Sequence, residues 1–393
     1  MTIGFTSRAV VSTCVLCVAG LLALAPAAGA AGTGTDPGAG GGPRAAVPQP
    51  ALLYRPGTQV RAHAGVPRLP DVSAMSWLVA DAHTGEVLAA HDAHRRLPPA
   101  STLKTLFALT VLPVLPQGIR HTVHEDELAG IGAGSSLVGV AEGLTYRVSD
   151  LWRGVFLNSG NDAVHVLAEL SGGWRSAATR MQAKARALGA RDTHVLSPDG
   201  YDTPGQVSSA YDLAVFGRAG LRNAEFAQYC GTVEASFPGR GGSSYPIRNT
   251  NRLLSGADGV QPYPGLIGVK NGYTSNAGNT LVAAARRDGR TLVVTVMHPQ
   301  TGGGFTVYEE ARELLDWGFA AAGRAEPVGS LDALRVRSQP APTAPVALPA
   351  AAVPAEDAGA RWPETGAIAA AAALGAGAVA LALRGRVVPR ERS

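Results

Sequence analysis

The chain has 393 residues, 16% of them charged, and a formal net charge of +4. Arg8 carries one of these charges, and the last ten residues carry three, from Arg384, Arg386, Arg390 and Arg392 against Glu391. What lies between is close to neutral, which argues against a nucleic-acid partner, and the length would permit two or three domains.

Residues 1–30 read as a secretory signal. Arg8 precedes an apolar run from Ala9 to Ala25, and Pro26 and the small-residue site Ala28-Gly29-Ala30 follow. An uncleaved N-terminal membrane anchor is the competing reading. Cys14 and Cys17 form a C-x-x-C pair inside that run, where it is accidental, and Cys230 alone remains for the exported chain, so no intramolecular disulfide is expected. Residues 31–70, with Gly38-Ala39-Gly40-Gly41-Gly42-Pro43, read as a flexible linker too poor in apolar residues to pack.

One folded domain is expected over 71–323. It opens with a hairpin, Trp77–Ala82 and Glu86–His91 around His83-Thr84-Gly85. It closes with another, Asn279–Arg286 and Arg290–Met297 around Asp288-Gly289. After that, Val307, Ala311, Leu314, Leu315 and Phe319 repeat at helical spacing. The middle, roughly 101–230, reads as mainly helical, as in Asp162–Leu170. The expected fold class is therefore α/β (α+β), an antiparallel sheet built from both chain ends and packed with helices, beside a mainly helical subdomain.

Beyond it, 324–362 reads as a spacer dominated by Pro and Ala from about residue 335, extended and semi-rigid. Residues 363–393 read as a C-terminal anchor. Trp362-Pro363-Glu364-Thr365-Gly366 is similar to the L-P-x-T-G sorting motif, and an uncharged apolar segment, 367–383, and a basic tail follow. Attachment to the membrane or to the cell wall are both open; either places the chain at the extracytoplasmic surface.

Three short segments carry chemistry. In Ser101-Thr102-Leu103-Lys104 the serine and lysine, three apart at a helix start, share one face. A serine hydroxyl needs a base, and lysine serves as one when burial and nearby positive charge lower its pKa. Alone, the pattern is weak, and an N-cap serine before a core helix is the favoured reading. Ser159-Gly160-Asn161 would be a plain helix-start turn or a proton relay with a substrate partner. Lys270-Asn271-Gly272-Tyr273-Thr274 would be a solvated edge strand or a carboxylate-binding edge, with Gly272 permitting close backbone approach. His121, His124, Glu125, Asp126 and Glu127 read as an exposed loop or strand edge rather than a metal site, and Cys230 as a buried small residue.

In order and separation the three segments resemble the S-x-x-K, S-x-N, K-T-G pattern of penicillin-binding proteins and β-lactamases. The flanking stretches sharpen this. Pro99-Ala100 before Ser101, Asp162-Ala163, Ala187-Leu188-Gly189-Ala190 through Thr193-His194, Pro198-Asp199-Gly200 and Ser209–Ala214 are similar to the D-alanyl-D-alanine carboxypeptidase family of low-molecular-mass penicillin-binding proteins, over roughly 72–320. The resemblance implies release of the terminal D-alanine of peptidoglycan stem peptides through an acyl-enzyme on Ser101, and covalent inhibition by β-lactams. It implies Lys104 as proton acceptor and Ser159 in proton transfer, positioned by Asn161, which also contacts substrate. Lys270 would bind the substrate carboxylate or assist protonation. The backbone N–H groups of Ser101 and Tyr273 would form the oxyanion hole, with Thr274 beside the substrate. No metal or cofactor is implied. Asn271 departs from the family, which has Thr or Ser there. A β-lactamase, a D,D-endopeptidase or transpeptidase, and a non-enzymatic wall-binding or β-lactam-sensing module are the alternatives. None of Glu169, Glu225 and Glu234 has the E-x-x-L-N context of class A β-lactamases.

Overall fold

The two hairpins expected from the sequence lie side by side in one antiparallel sheet. The structure, a computed structural model, describes residues 52–61 and 63–335. In chain order its elements are β1 (Thr58–Val60), β2 (Ser76–Asp81), β3 (Glu86–His91), α1 (Lys104–Val111), β4 (Arg120–Thr122), β5 (Thr145–Arg147), α2 (Val148–Leu157), α3 (Asn161–Leu170), α4 (Trp174–Ala187), α5 (Ala210–Leu221) and α6 (Ala224–Cys230). There follow β6 (Glu234–Pro238), β7 (Ser244–Arg248), α7 (Arg252–Ser255), β8 (Leu266–Thr274), β9 (Gly278–Arg287), β10 (Arg290–Met297), α8 (Thr306–Ala321) and β11 (Gly329–Ser330).

The large sheet runs β1-β3-β2-β10-β9-β8, and the first hairpin joins the last through β2 and β10, Val79 opposite Val294. Its strands are apolar on both faces because helices cover both. Leu78, Ala80, Val282, Ala284 and Val293 pack with α1, α2 and α5, and Trp77, Val79, Leu281, Ala283, Leu292 and Val294 pack with α8. Gly217 and Gly318 let α5 and α8 press on the sheet: a methyl at Gly217 would lie 2.7 Å from Val282, and one at Gly318 would lie 2.8 Å from Leu292 and Val79. In α8, Val307, Ala311, Leu314 and Leu315 are buried as expected, while Phe319 packs at the margin.

Two boundaries differ from the sequence reading. Thr58–Val60, inside the stretch read as linker, pairs with β3 at Ala89–His91, and Gly329–Ser330, inside the stretch read as spacer, pairs with the same edge at Glu86–Val87. Both ends of the domain thus cover the free edge of β3, which would otherwise expose unpaired backbone groups. Strands of two and three residues carry no period to read, and their partner is distant in sequence. The signal reading at 1–30, the anchor at 363–393 and most of the spacer lie outside the described residues. Among the described residues no helix is long and apolar enough to cross a membrane.

In the polar run at 121–127, His124, Glu125 and Asp126 are exposed, as expected of a loop or strand edge, and Glu127 alone of its acidic residues turns inward. His121 on β4 places Nε2 2.8 Å from both carboxylate oxygens of Glu127, which is buried. Cys230 is fully buried, and burial pushes its thiol up to about 12, leaving no thiolate near neutrality.

Candidate active site

Ser101 sits in a 3-10 turn, Ala100–Leu103, immediately before α1, rather than in the α-helix itself. The turn is held at its base, where both Thr102 Oγ1 and Thr280 Oγ1 donate to the Pro99 carbonyl. Ala100 is driven to φ 49° and Ser159 to φ 58°. Such left-handed non-glycine residues cost of order 1–3 kcal/mol and persist only where their surroundings over-determine them. The Pro198-Asp199-Gly200 turn packs closely against the Ser101 turn: a methyl at Gly200 would collide with the Ala100 carbonyl oxygen.

Lys104 begins α1, one helical turn beyond Ser101, and is 1% exposed. Its Nζ donates to Ser101 Oγ at 2.8 Å and to the Asp199 carbonyl at 2.7 Å. Burial lowers its pKa to about 8, against the opposing pull of the Asp199 and Asp162 carboxylates. A lysine so placed can lose its proton near neutral pH and then accept one from an adjacent hydroxyl.

Ser159 lies in the break between α2 and α3, and Asn161 is the first residue of α3. Ser159 Oγ is buried with no protein hydrogen-bond partner, and so is Asn161 Oδ1. The Asn161 amide nitrogen donates to Asp199 Oδ2 and to Ser135 Oγ, both at 3.0 Å, which leaves its oxygen as the free arm. Asp162 accepts from the backbone N–H groups of Val138, Gly139 and Val140 at 2.7–3.0 Å, holding the 133–140 loop over this corner.

β8 is the sheet's edge strand and brings the third segment in. Gly272 pairs with Thr280 of β9, and a methyl on it would lie 2.7 Å from the Ser101 amide nitrogen. Lys270 is on the edge strand as expected, but it is not solvated. It is 1% exposed, and its Nζ donates back to the Asn271 carbonyl at 2.9 Å. Burial, and then the charge of Lys104, hold its pKa well below the ordinary lysine range. Tyr273 is 66% exposed, and Thr274 Oγ1 donates to Asp202 Oδ1 at 2.6 Å.

Ser101, Ser159, Asn161, Asn271, Gly272, Tyr273 and Thr274 line one cleft of about 390 Å³, and Lys104 and Lys270 lie buried around it. Every residue singled out in the three segments is therefore part of one constellation. The cleft adds residues that the sequence reading left unassigned, among them Ser135, Asp202, Thr250 and Arg252. Asp199, whose carbonyl holds Lys104, stood within a matching stretch without a role. Thr250 and Arg252 follow a short hairpin and show no pattern in sequence. A larger cavity of about 530 Å³ holds none of the motif residues, and its Arg218 is already engaged with the Ala82 and His83 carbonyls and Asp332.

The D-alanyl-D-alanine carboxypeptidase family model matches residues 62–301. The chain is 43% identical over 271 residues to the D-alanyl-D-alanine carboxypeptidase DacB2 of Mycobacterium tuberculosis, covering 68% of this chain and 89% of that protein. It is 35% identical over 264 residues to DacD of Escherichia coli, covering 64% of each. Among solved structures, a D-alanyl-D-alanine carboxypeptidase from Mycobacterium tuberculosis superposes with a TM-score of 0.62 at 41% identity, over 68% of this chain and 98% of that one. The Streptomyces K15 DD-transpeptidase superposes with a TM-score of 0.59 at 28% identity, over 65% and 100%.

Proposed function

The chain belongs to the D-alanyl-D-alanine carboxypeptidase family, and we propose that it carries out that family's reaction with Ser101 as nucleophile and Lys104 as the proton acceptor. The observation that carries this is the 2.8 Å contact between Lys104 Nζ and Ser101 Oγ, made by a buried lysine whose pKa is about 8. At pH 7 about one such lysine in ten is neutral, and the hydroxyl then donates to the lone pair of Nζ.

The substrate is a peptidoglycan stem peptide ending in D-alanyl-D-alanine. Ser101 Oγ bonds to the carbonyl carbon of the penultimate residue while its proton passes to Lys104. The developing oxyanion is taken up by the backbone N–H groups of Ser101 and Tyr273. That strand reaches Ser101 because position 272 lacks a side chain. The C–N bond then breaks, and Ser159 passes a proton to the departing amine; its buried, unpartnered hydroxyl suits a relay. Asn161 Oδ1, equally free, accepts from a substrate amide N–H. Water hydrolyses the ester and regenerates Ser101.

The terminal carboxylate is received at the Asn271 end of the cleft, where Arg252 also lines the wall and supplies positive charge. Lys270, turned onto the Asn271 carbonyl, acts on this site from behind, as a charge next to Lys104 and as a support for β8. β-Lactams, which present a strained amide beside a carboxylate, would acylate the same serine. The enzyme would act outside the cytoplasmic membrane, exported by the 1–30 segment and held there by 363–393.

The test is incubation of the purified protein with a stem pentapeptide and, separately, with a labelled penicillin. Free D-alanine should appear by mass spectrometry without cross-linked dimer, and label should attach to Ser101. Ser101→Ala should take no label; unchanged labelling of that variant overturns the assignment. Dimeric product in place of D-alanine would instead mark a transpeptidase.

A further inference from the structure

An asparagine in place of a hydroxyl residue at a carboxylate site raises a problem of orientation. A hydroxyl can rotate to donate, but an amide is planar and has a donating arm and an accepting arm. If its oxygen faced the cleft, Asn271 would repel a carboxylate instead of binding it. The amide therefore needs a neighbour that fixes which arm is presented.

Thr250 is placed to do this. Its Oγ1 donates to Asn271 Oδ1 at 3.0 Å, and Lys270 Nζ approaches the same oxygen at 3.5 Å. With two donors on the oxygen, the NH₂ arm is the one left to donate; one of its hydrogens is directed at the Tyr308 hydroxyl, which leaves the other. Thr250 is itself fixed at both ends of its backbone: its N–H donates to the Leu157 carbonyl at 2.9 Å, and its carbonyl accepts from Tyr308 Oη at 3.2 Å. That tyrosine also accepts from Arg252 Nη1 at 3.2 Å, so Thr250 and the cleft's arginine hang on one hydroxyl. Arg252 is further tied by Nε to Asp258 at 2.7 Å and lies over the Phe305 ring at 4.9 Å. Thr250, Arg252 and Asn271 all line the cleft that holds Ser101.

We propose that Thr250 is a positioning residue for substrate selection: it fixes which arm of the Asn271 amide is the donor, so that an N–H rather than the oxygen is presented to the cleft and the site favours peptides with a free terminal carboxylate. The inference rests on the reading of Asn271 as the partner of that carboxylate. Thr250 is needed because position 271 is Asn, and it becomes dispensable when a rotatable hydroxyl stands there.

The full-length protein and its Thr250→Val, Thr250→Ser, Asn271→Thr and Thr250→Val/Asn271→Thr variants are compared on a D-alanyl-D-alanine peptide and on its C-terminal carboxamide. Thr250→Val should raise KM for the free acid about fivefold to tenfold with kcat within about twofold, the scale of one hydrogen bond. It should leave the carboxamide unaffected, and Thr250→Ser should behave as wild type. In the Asn271→Thr background, adding Thr250→Val should change neither constant. Equal losses on acid and amide, failure of Thr250→Ser, or the same loss in the Asn271→Thr background would overturn the proposal. If the wild type releases no D-alanine, the carboxypeptidase reading fails. The proposal is then decided by acylation rates with a penicillin and its methyl ester, where Thr250→Val should slow only the acid.

Discussion

The backbone of Gly272 lies against the amide nitrogen of Ser101, so closely that a methyl group on the glycine would stand 2.7 Å from it. The same methyl would meet Thr280 Oγ1 at 2.8 Å and the Ala100 side chain at 3.0 Å. None of these neighbours is the end of a long flexible side chain, so accommodation means moving β8 or the Ser101 turn. Either movement would displace one of the proposed oxyanion donors, and loss of one such donor typically costs about 100-fold to 1,000-fold in rate. Gly272→Ala should therefore slow acylation by a labelled penicillin by about 100-fold while circular dichroism shows a folded protein. Acylation within a few-fold of wild type would separate β8 from the oxyanion site.

With Lys104 as the proposed base, its pKa predicts a pH dependence for acylation. With a value of about 8, the neutral fraction rises from about one tenth at pH 7 to about nine tenths at pH 9. The second-order rate constant for acylation should climb about tenfold across that interval and level off above it. A profile flat from pH 6 to 9 would remove Lys104 as the base.

The burial that lowers the Lys104 pKa also costs stability. Its pKa falls from 10.5 in the unfolded chain to about 8 in the native protein, so between those values the unfolded state binds more protons and stability rises with pH. The penalty is full below pH 8 and disappears above 10.5. Lys104→Met, which keeps the length and removes the charge, should stabilise the fold at pH 7 by up to about 3 kcal/mol while abolishing turnover. Urea unfolding at pH 7 and pH 10 tests this: the advantage should shrink sharply at the higher pH, and an equal effect at both would point to packing rather than charge.

Much of this site was legible because its chemistry sits in short contiguous segments. Ser101 and Lys104 are three residues apart, and the strand patterns around 77–91 and 279–297 were strong enough to place both hairpins. The orienting contacts were hidden because they join residues distant in sequence. Asp199 reaches Lys104 through its backbone carbonyl, 95 positions away, and no side-chain pattern announces a carbonyl. Thr250 meets Asn271 across 21 residues from a segment without period. For Lys270 the sequence left a solvated edge lysine and a carboxylate-binding one both open; it does lie on the edge strand, and its burial is something strand order alone does not reveal.

Asp199 gives the last prediction, because its two ends act on Lys104 and Asn161 separately. Its carbonyl accepts from Lys104 Nζ and survives any change of side chain. Its carboxylate is the leading influence raising the Lys104 pKa against burial, and it accepts from Ser197 Oγ and the Tyr201 N–H on one oxygen and from Asn161 Nδ2 on the other. Asp199→Asn removes the charge, so the midpoint of the acylation–pH profile should move below 8. An amide also cannot accept on both arms, so either Asn161 or the Ser197–Tyr201 pair is left facing a donor, at about 1–3 kcal/mol. The variant should be less stable, with a more acidic midpoint and a lower plateau, measured by denaturation and by stopped-flow acylation. A midpoint at or above 8 would show that the Asp199 charge does not reach Lys104, and would leave burial and the Asp162 charge to set its pKa.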